Sequence, residues 1–116
     1  YGGYGRVRVF RRQASGQFTL AFEPTLAGLN FCDQLAFSAD GSTLAAGFNF
    51  YEQYLRVDVL VIDLQSQAVT AHDVIQGGGT LQNIVCDLDV SKDGSVIAAG
   101  LWGDQLGSVH QVRVYR

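Results

Sequence analysis

Apolar and polar residues alternate over short stretches of this chain, with the period of a half-buried β-strand. A valine stands at every second position in Arg6–Arg11, Arg56–Leu64 and Gln111–Arg116. Phe18–Phe22 alternates in the same way, and Val69–Ile75 does so less regularly. No stretch combines a 3.6-residue period with helix caps. The pattern therefore predicts an all-β chain.

Two Asp-Gly pairs predict hairpin turns. Asp40-Gly41 and Asp93-Gly94 each lie between apolar and β-branched residues, and glycine tolerates the positive φ of such a turn. The strands before the turns are predicted at about 33–38 and 86–91, and those after them at about 42–47 and 95–100. The later strands contain Ala-Ala-Gly, and such small side chains permit close approach of a neighbouring sheet.

The same sequence elements recur along the chain. Leu35–Gly47 and Leu88–Gly100 are identical at eight of thirteen positions, at a separation of 53 residues. Val7–Arg11, Val59–Asp63 and Val112–Arg116 are similar to each other, at separations of 52 and 53. Each repeat predicts four antiparallel strands in a meander, which we name A, B, C and D. Their order along the chain is C, D, A, B, C, D, A, B, C, and such a sheet needs neighbours on both faces.

The run Phe37–Gly47, followed by Val59–Leu64, resembles WD40-like and YVTN/TolB-type β-propeller repeats. Gly5–Phe10 and Ser38–Gly47 are also similar to bacterial FG-GAP-like repeats, whose spacing of about 50 residues suits this period. The resemblance implies four-stranded antiparallel blades in one propeller segment over 1–116. Residues 1–29 would be strands C and D of one blade, 30–82 a complete blade, and 83–116 strands A to C of the next. A bacterial-type propeller also suggests an extracytoplasmic location.

The departures from these families matter as well. The Gly-His and Trp-Asp dipeptides of WD40 blades are absent, and so is the Asp-x-Asp-x-Asp-Gly calcium loop of integrin-type blades. We therefore predict no metal site and no cofactor. Propellers close with roughly four to eight blades, and two repeats leave open edges. The predicted partners are either further blades of a longer chain or other copies that close a ring. The additional strand C favours a longer chain.

Composition and charge restrict the function. The chain is 47% hydrophobic and 16% charged, which is typical of a globular domain. A net charge of −3 argues against nucleic-acid binding, which needs a basic face. The longest apolar runs, such as Val59–Ile62, are too short for a membrane-spanning helix, so we predict no membrane insertion. Cys32 and Cys86 lack CxxC spacing and are predicted to be buried thiols, with an inter-blade disulfide as the alternative.

The B–C connections are rich in aromatic residues, in Tyr1–Tyr4, Phe48–Tyr54 and Leu101–Gly107. In a propeller the B–C and D–A connections share one face, where aromatic rings offer a ligand large contact area. This pattern predicts a surface for a protein or carbohydrate ligand. The alternative is that the rings pack between blades. The candidate ligand-binding residues are Tyr1, Tyr4, Phe50, Tyr51, Tyr54, Trp102 and Asp104.

Catalytic signals are weak. His72 and His110 have no second histidine at ligand spacing, and no Gly-x-Ser-x-Gly nucleophile elbow occurs, so no catalytic residue is predicted. Asp87 and Asp89 are expected on one face of a strand, and the arginines near the N-terminus on a solvated face. The predicted function is a non-catalytic binding scaffold. One alternative is a fragment of a hydrolase- or lactonase-like propeller, with Asp33 and Asp87 near its central channel. Another is a structural subunit of a ring or filament.

Overall fold

A computed structural model of the chain describes residues 6–24, 31–49, 56–76, 83–103 and 111–116. These residues form strands and turns, and no helix occurs among them, which confirms the all-β prediction. Within the same ranges, no helix could cross a membrane. The strands are β1 (Val9–Arg12), β2 (Phe18–Phe22), β3 (Phe31–Phe37), β4 (Thr43–Asn49), β5 (Arg56–Asp63), β6 (Ala68–Gln76), β7 (Asn83–Val90), β8 (Ile97–Gly103) and β9 (Gln111–Tyr115).

The strands form three antiparallel sheets in chain order. The first sheet is β1-β2, the second is β3-β4-β5-β6 and the third is β7-β8-β9. All neighbours in each sheet are consecutive in sequence and antiparallel, so the second sheet is the four-stranded meander predicted for one repeat. The described strands form neither a closed barrel nor a closed propeller.

Irregularities in strand pairing repeat with the sequence. Each bulge lets one strand carry an extra residue opposite its partner. Two of the bulges are in β3 and β7, between Cys32 and Gln34 and between Val85 and Asp87. The other two are in the pairing of β1 with β2 and of β5 with β6, between Val9 and Phe10 and between Val61 and Ile62. The positions within each pair are one repeat apart. The backbone of the sheets is therefore repeated, as well as the sequence.

The A–B turns are built alike. The Ser38 Oγ donates to Asp40 Oδ1 at 2.7 Å and accepts the Thr43 amide at 2.9 Å. Gly41 has a φ of 73°, a left-handed conformation that glycine adopts without a Cβ clash. The second turn, 53 residues later, contains the same serine, aspartate and glycine, and the Ser91 Oγ likewise donates to Asp93 Oδ1 at 2.8 Å and accepts the Val96 amide at 2.9 Å. The Asp-Gly hairpin predictions are thus confirmed.

The second sheet lies between the other two. On its leading face, which we define by Leu44, Ala46, Phe48, Leu60 and Ile62, it packs against the first sheet. Its trailing face packs against the third sheet and contains Ala45, Val57, Val59, Val61 and Ile75. Both faces are apolar because a sheet covered on two sides must bury both sets of alternate side chains.

The second sheet meets the first sheet and the third sheet through equivalent pairs of faces. In the third sheet the packing residues include Ile97, Ala99 and Leu101, which stand 53 residues after Leu44, Ala46 and Phe48. The third sheet therefore turns its own leading face to the second. In the first sheet, Val7 and Val9 pack against the second sheet, and they stand 52 residues before Val59 and Val61 of the trailing face. Each sheet places its leading face on the trailing face of the preceding one.

Candidate functional site

The strand ends that border the connections of the predicted ligand surface lie together at one end of the second sheet, which we call the loop end. Phe31 pairs with Asn49 there, and Arg56 pairs with Gln76, at the ends of the second sheet's strands. The connections 50–55 and 77–82 leave from this end. The A–B and C–D turns lie at the other end, which we call the turn end.

The candidate ligand-binding residues themselves fall mostly outside the described ranges. Trp102 lies in β8, where its backbone pairs with Ile84, but its side chain is outside the described part of the structure. The ligand-binding role of all seven residues stays a prediction. Those outside the described residues are Tyr1, Tyr4, Phe50, Tyr51, Tyr54 and Asp104.

Three described side chains form a charge cluster at the loop end. Arg56 donates to both carboxylate oxygens of Asp58, from Nε and Nη2, at 2.6 Å each. The His72 Nε2 lies 2.6 Å from Asp58 Oδ1. Arg56 and Asp58 are two residues apart on one strand, and His72 is a diagonal neighbour on β6, so all three lie on the leading face. We call Arg56, Asp58 and His72 the loop-end charge cluster.

The three side chains of the loop-end charge cluster are buried to different extents. The Asp58 side chain is 2% exposed, whereas those of Arg56 and His72 are partly exposed. A buried carboxylate is tolerated when charged groups and hydrogen bonds replace its water. Hydrogen bonding to Asp58 also raises the pKa of the Arg56 guanidinium above its ordinary value. The buried carboxylate thus holds two nitrogen-bearing side chains at the surface, where they can donate to a ligand's oxygens.

The trailing side of the loop end has its own polar pair. Asn49 is buried and donates from Nδ2 to Asp33 Oδ2. Asp33 is the extra residue of the β3 bulge, so the bulge turns its carboxylate towards β4. Asp87, the other candidate acid of the enzyme alternative, is the repeat equivalent of Gln34 and accepts the Leu88 amide at 3.0 Å. The two acids therefore occupy different positions of their repeats.

Metal and thiol chemistry find little support in the described ranges. No group of three histidine, cysteine, aspartate or glutamate side chains is placed there to hold a metal ion. Cys32 is a free, half-buried thiol, and burial raises its pKa. The disulfide between Cys32 and Cys86, an alternative on sequence grounds, is therefore not formed.

The first sheet carries an ion pair at the positions of the loop-end charge cluster, with the signs exchanged. Arg6 stands 52 residues before Asp58, and Glu23 is the partner-strand equivalent of His72. Arg6 and Arg8 bind Glu23 at 3.2 and 2.9 Å, in exposed positions. The solvated face predicted for these arginines is confirmed. Charged pairing between strands C and D therefore occurs in both repeats.

Polar side chains also connect the second sheet to the third. The Asp73 Oδ2 accepts from Arg113 Nη1 at 2.9 Å and from the Tyr115 hydroxyl at 2.8 Å. Asp73 lies on the trailing face of the second sheet, and its two partners lie on the leading face of the third. Burial, together with this hydrogen bond, raises the pKa of Tyr115 to about 12. The contact fixes β9 against β6.

The loop-end charge cluster is not predicted from the sequence. No role is predicted for Arg56 or Asp58 from the sequence, and the side chain of His72 is partly exposed. The signal available in the sequence is an Arg-x-Asp pair inside a strand whose other residues, apart from Asp63 at its end, are apolar. A charged pair inside such a strand indicates paired burial. His110 lies outside the described residues.

A cleft of about 270 Å³ lies at the turn end, between the first and second sheets. Its walls include Phe22, Phe37 and Leu64, with Arg11 at the side. The described lining is mainly apolar and brings no acid–base pair together.

No protein-family model matches the chain, and no curated protein matches its sequence.

Proposed function

We propose that this chain is a run of consecutive β-propeller blades that acts as a non-catalytic binding scaffold, with its ligand at the loop end. The observation that carries the proposal is the uniform stacking of the three sheets, leading face on trailing face, with bulges at equivalent positions. Repeats that stack in this way bury a continuous core. The proposed blades are residues 1–29, 30–82 and 83–116, as the resemblance to propeller repeats implies.

The choice of the loop end rests on two features that coincide there. The connections leaving it contain the aromatic residues of 50–54, and the strands beneath them carry the loop-end charge cluster. Rings supply contact area, and a guanidinium and an imidazole supply directed donors. Such a combination suits the faces and hydroxyls of a sugar, or the apolar and acidic side chains of a protein. Connections supported by rigid strands are also the usual place for binding residues.

Binding can be tested with two probe sets, an oligosaccharide array and a displayed peptide library. We expect one set to yield a ligand, which also decides between carbohydrate and protein. Tyr51→Ala combined with Trp102→Ala should then weaken that ligand at least about tenfold, as loss of aromatic anchors does. His72→Ala should weaken it less.

The matched control is Phe18→Ala, which removes an exposed aromatic ring at the turn end. It should leave the affinity unchanged. Equal losses from Phe18→Ala and from the loop-end double variant would contradict a loop-end site. Failure of both probe sets to bind would contradict the scaffold proposal for these ligand classes.

A further inference from the structure

Asp58 fixes the hydrogen-bonding form of His72 in the loop-end charge cluster. The Asp58 carboxylate accepts from Arg56 at both oxygens, and the His72 Nε2 lies 2.6 Å from Asp58 Oδ1. An ionised carboxylate can only accept hydrogen bonds, so His72 carries a hydrogen on Nε2 and donates it to Asp58. A neutral imidazole with its hydrogen on Nε2 has an acceptor at Nδ1. The buried carboxylate therefore decides which ring atom of His72 is left for a ligand.

Arg56 has free donors next to that acceptor. It uses N–H groups of Nε and Nη2 on Asp58, which leaves both hydrogens of Nη1 for other partners. Arg56 Nη2 and His72 Nε2 are each 2.6 Å from the same oxygen, so the two side chains lie side by side. Neither side chain has a further hydrogen-bond partner in the part of the chain that the structure describes. Together they present donors and, on the neutral ring, one acceptor.

The cluster reaches solvent although the face around it is covered. On the same leading face, Leu60 and Ile62 are fully buried in the packing against the first sheet, and Asp58 is buried as well. The side chains of Arg56 and His72 are 30% and 32% exposed. Strands β1 and β2 of the first sheet are the repeat counterparts of β5 and β6, which carry the cluster. The exposure of Arg56 and His72 is thus found beside a sheet that has both matching strands.

An apolar side chain adjoins the cluster. Val74 on β6 is the register partner of Asp58 and is 38% exposed. A sugar ring combines hydroxyl groups with apolar C–H faces, so it can contact Val74 while its hydroxyls reach the cluster. A hydroxyl both donates and accepts, and it therefore suits the neutral ring of His72 as well as a protonated ring, which donates from Nδ1.

An acidic ligand suits this arrangement less well. A carboxylate only accepts hydrogen bonds, so it has nothing to donate to the acceptor of the neutral His72 ring. The charge of Arg56 is already paired with Asp58 through two hydrogen bonds. An acidic group therefore gains little from the cluster that a hydroxyl does not. The pattern of donors and acceptor favours two neighbouring hydroxyl groups, one that accepts and one that donates.

We propose that the ligand at the loop end is a neutral sugar, and that the loop-end charge cluster binds two neighbouring hydroxyl groups of that sugar. Arg56 donates to the oxygen of one hydroxyl, and the other hydroxyl donates to His72 Nδ1. This inference rests on the proposed binding scaffold, because both place the ligand at the loop end. It goes further in naming the class of ligand and the atoms that select it.

The test uses methyl glycosides of neutral hexoses, their monodeoxy analogues and the matched uronic acids, with binding measured by titration calorimetry. We expect at least one neutral hexose to bind, and the matched uronic acid to bind no more tightly. Removal of either of two hydroxyls on adjacent carbons should weaken binding about two- to tenfold, the usual contribution of one hydrogen bond. His72→Phe keeps a ring without its nitrogens and should weaken the parent sugar by a similar factor.

Each variant is then combined with each analogue to show which groups are in contact. His72→Phe should abolish the loss caused by removing one of the two hydroxyls, and Arg56→Gln should do so for its neighbour. His72→Ala gives the same comparison without a ring, and circular dichroism confirms the folding of each variant. Arg12→Gln is the matched control, since Arg12 is exposed at the end of β1, beside the turn to β2. It should leave every affinity unchanged.

The outcomes separate this inference from the scaffold proposal. Losses that simply add in the combinations of variants and analogues would overturn the contacts with the two hydroxyls. Tighter binding of the uronic acid would overturn the choice of a neutral ligand. A peptide that binds at the loop end, with no binding of any hexose, would overturn this inference and leave the scaffold proposal standing. Absence of both sugar and peptide ligands would overturn both.

Discussion

Gly41 and Gly94 occupy the same position in two hairpin turns, but their surroundings differ. Their φ angles are 73° and 74°, so alanine is strained at both. A Cβ on Gly41 would have no neighbour within 4 Å. A Cβ on Gly94 would overlap the Thr43 side chain and lie 2.7 Å from its Cβ. The Asp40 amide also donates to the Lys92 carbonyl at 3.0 Å, which holds the two turns together.

We therefore expect Gly41→Ala to lower the free energy of unfolding by about 1 kcal/mol, through backbone strain alone. Gly94→Ala should lower it by a further amount of about 1–3 kcal/mol, because the added methyl group overpacks the contact between turns. Urea unfolding of both variants measures the difference. Equal losses would show that the two turns are not in contact.

Tyr115 provides a pH-dependent contact between sheets. Its pKa is raised to about 12 by burial and by the hydrogen bond to Asp73, from an ordinary value of 10.0. A pKa that is higher in the folded state stabilises the fold fully below the unfolded value. This contribution should be lost as the pH rises from about 10 to about 12. The difference in phenolate absorbance between the wild type and Tyr115→Phe should titrate near the raised pKa.

The stability of Tyr115→Phe gives the matching control. Its deficit relative to the wild type should be constant below about pH 10 and should shrink above it, since the phenylalanine has no proton to lose. A difference titration centred near the ordinary tyrosine pKa would contradict the contact with Asp73.

At the scale of the element, β5 is buried on both faces and still contains a carboxylate. Asp58→Asn removes the charge that Arg56 and His72 bind, and we expect a loss of about 2 kcal/mol in the free energy of unfolding. Charge-assisted hydrogen bonds have about this strength. The loss stays moderate because both partners are partly exposed and can bind water instead.

Asp89→Asn is the comparison for that variant. Asp89 is exposed on β7 and accepts the Val90 amide at 2.9 Å, so its replacement should change stability by less than about 0.5 kcal/mol. Thermal and urea unfolding of the two variants give the result. Similar losses from both would mean that the loop-end charge cluster adds nothing to the stability of β5.

The strand boundaries show which features can be predicted from local sequence patterns. Valine alternation and the Asp-Gly pairs located β4, β5 and β8 within a few residues, because backbone period and turn chemistry are local properties. β3 and β7 begin earlier than expected, at Phe31 and Asn83. Each contains a bulge, which shifts the alternation and depends on the facing strand. The loop-end charge cluster was missed for a related reason, since it joins two strands whose register the sequence does not state.

For the whole molecule, the sequence predicts the repeat and its need for neighbouring sheets. Only the structure shows which face of each sheet packs against which neighbour. Both faces of β4 are made of small or apolar residues, so its sequence does not indicate which face meets which neighbour. Equivalent residues in the two interfaces resolve this point, because Ala46 and Ala99 are each buried against the preceding sheet. The role of the aromatic connections stays a prediction, since it depends on side chains outside the described ranges.

The stacking gives a last prediction, from two alanines at the same repeat position. Ala45 is fully buried between the second and third sheets, whereas Ala98 lies on the trailing face of the third sheet and is only partly buried. Ala45→Leu should lower the free energy of unfolding by about 1–3 kcal/mol, because the tightly packed interface has no room for a larger side chain. Ala98→Leu should change it by less than about 0.5 kcal/mol, because Ala98 is only partly buried. Urea unfolding of both variants measures the difference. If the two variants lose equal stability, the packing of the third sheet on Ala45 does not restrict the size of the side chain there.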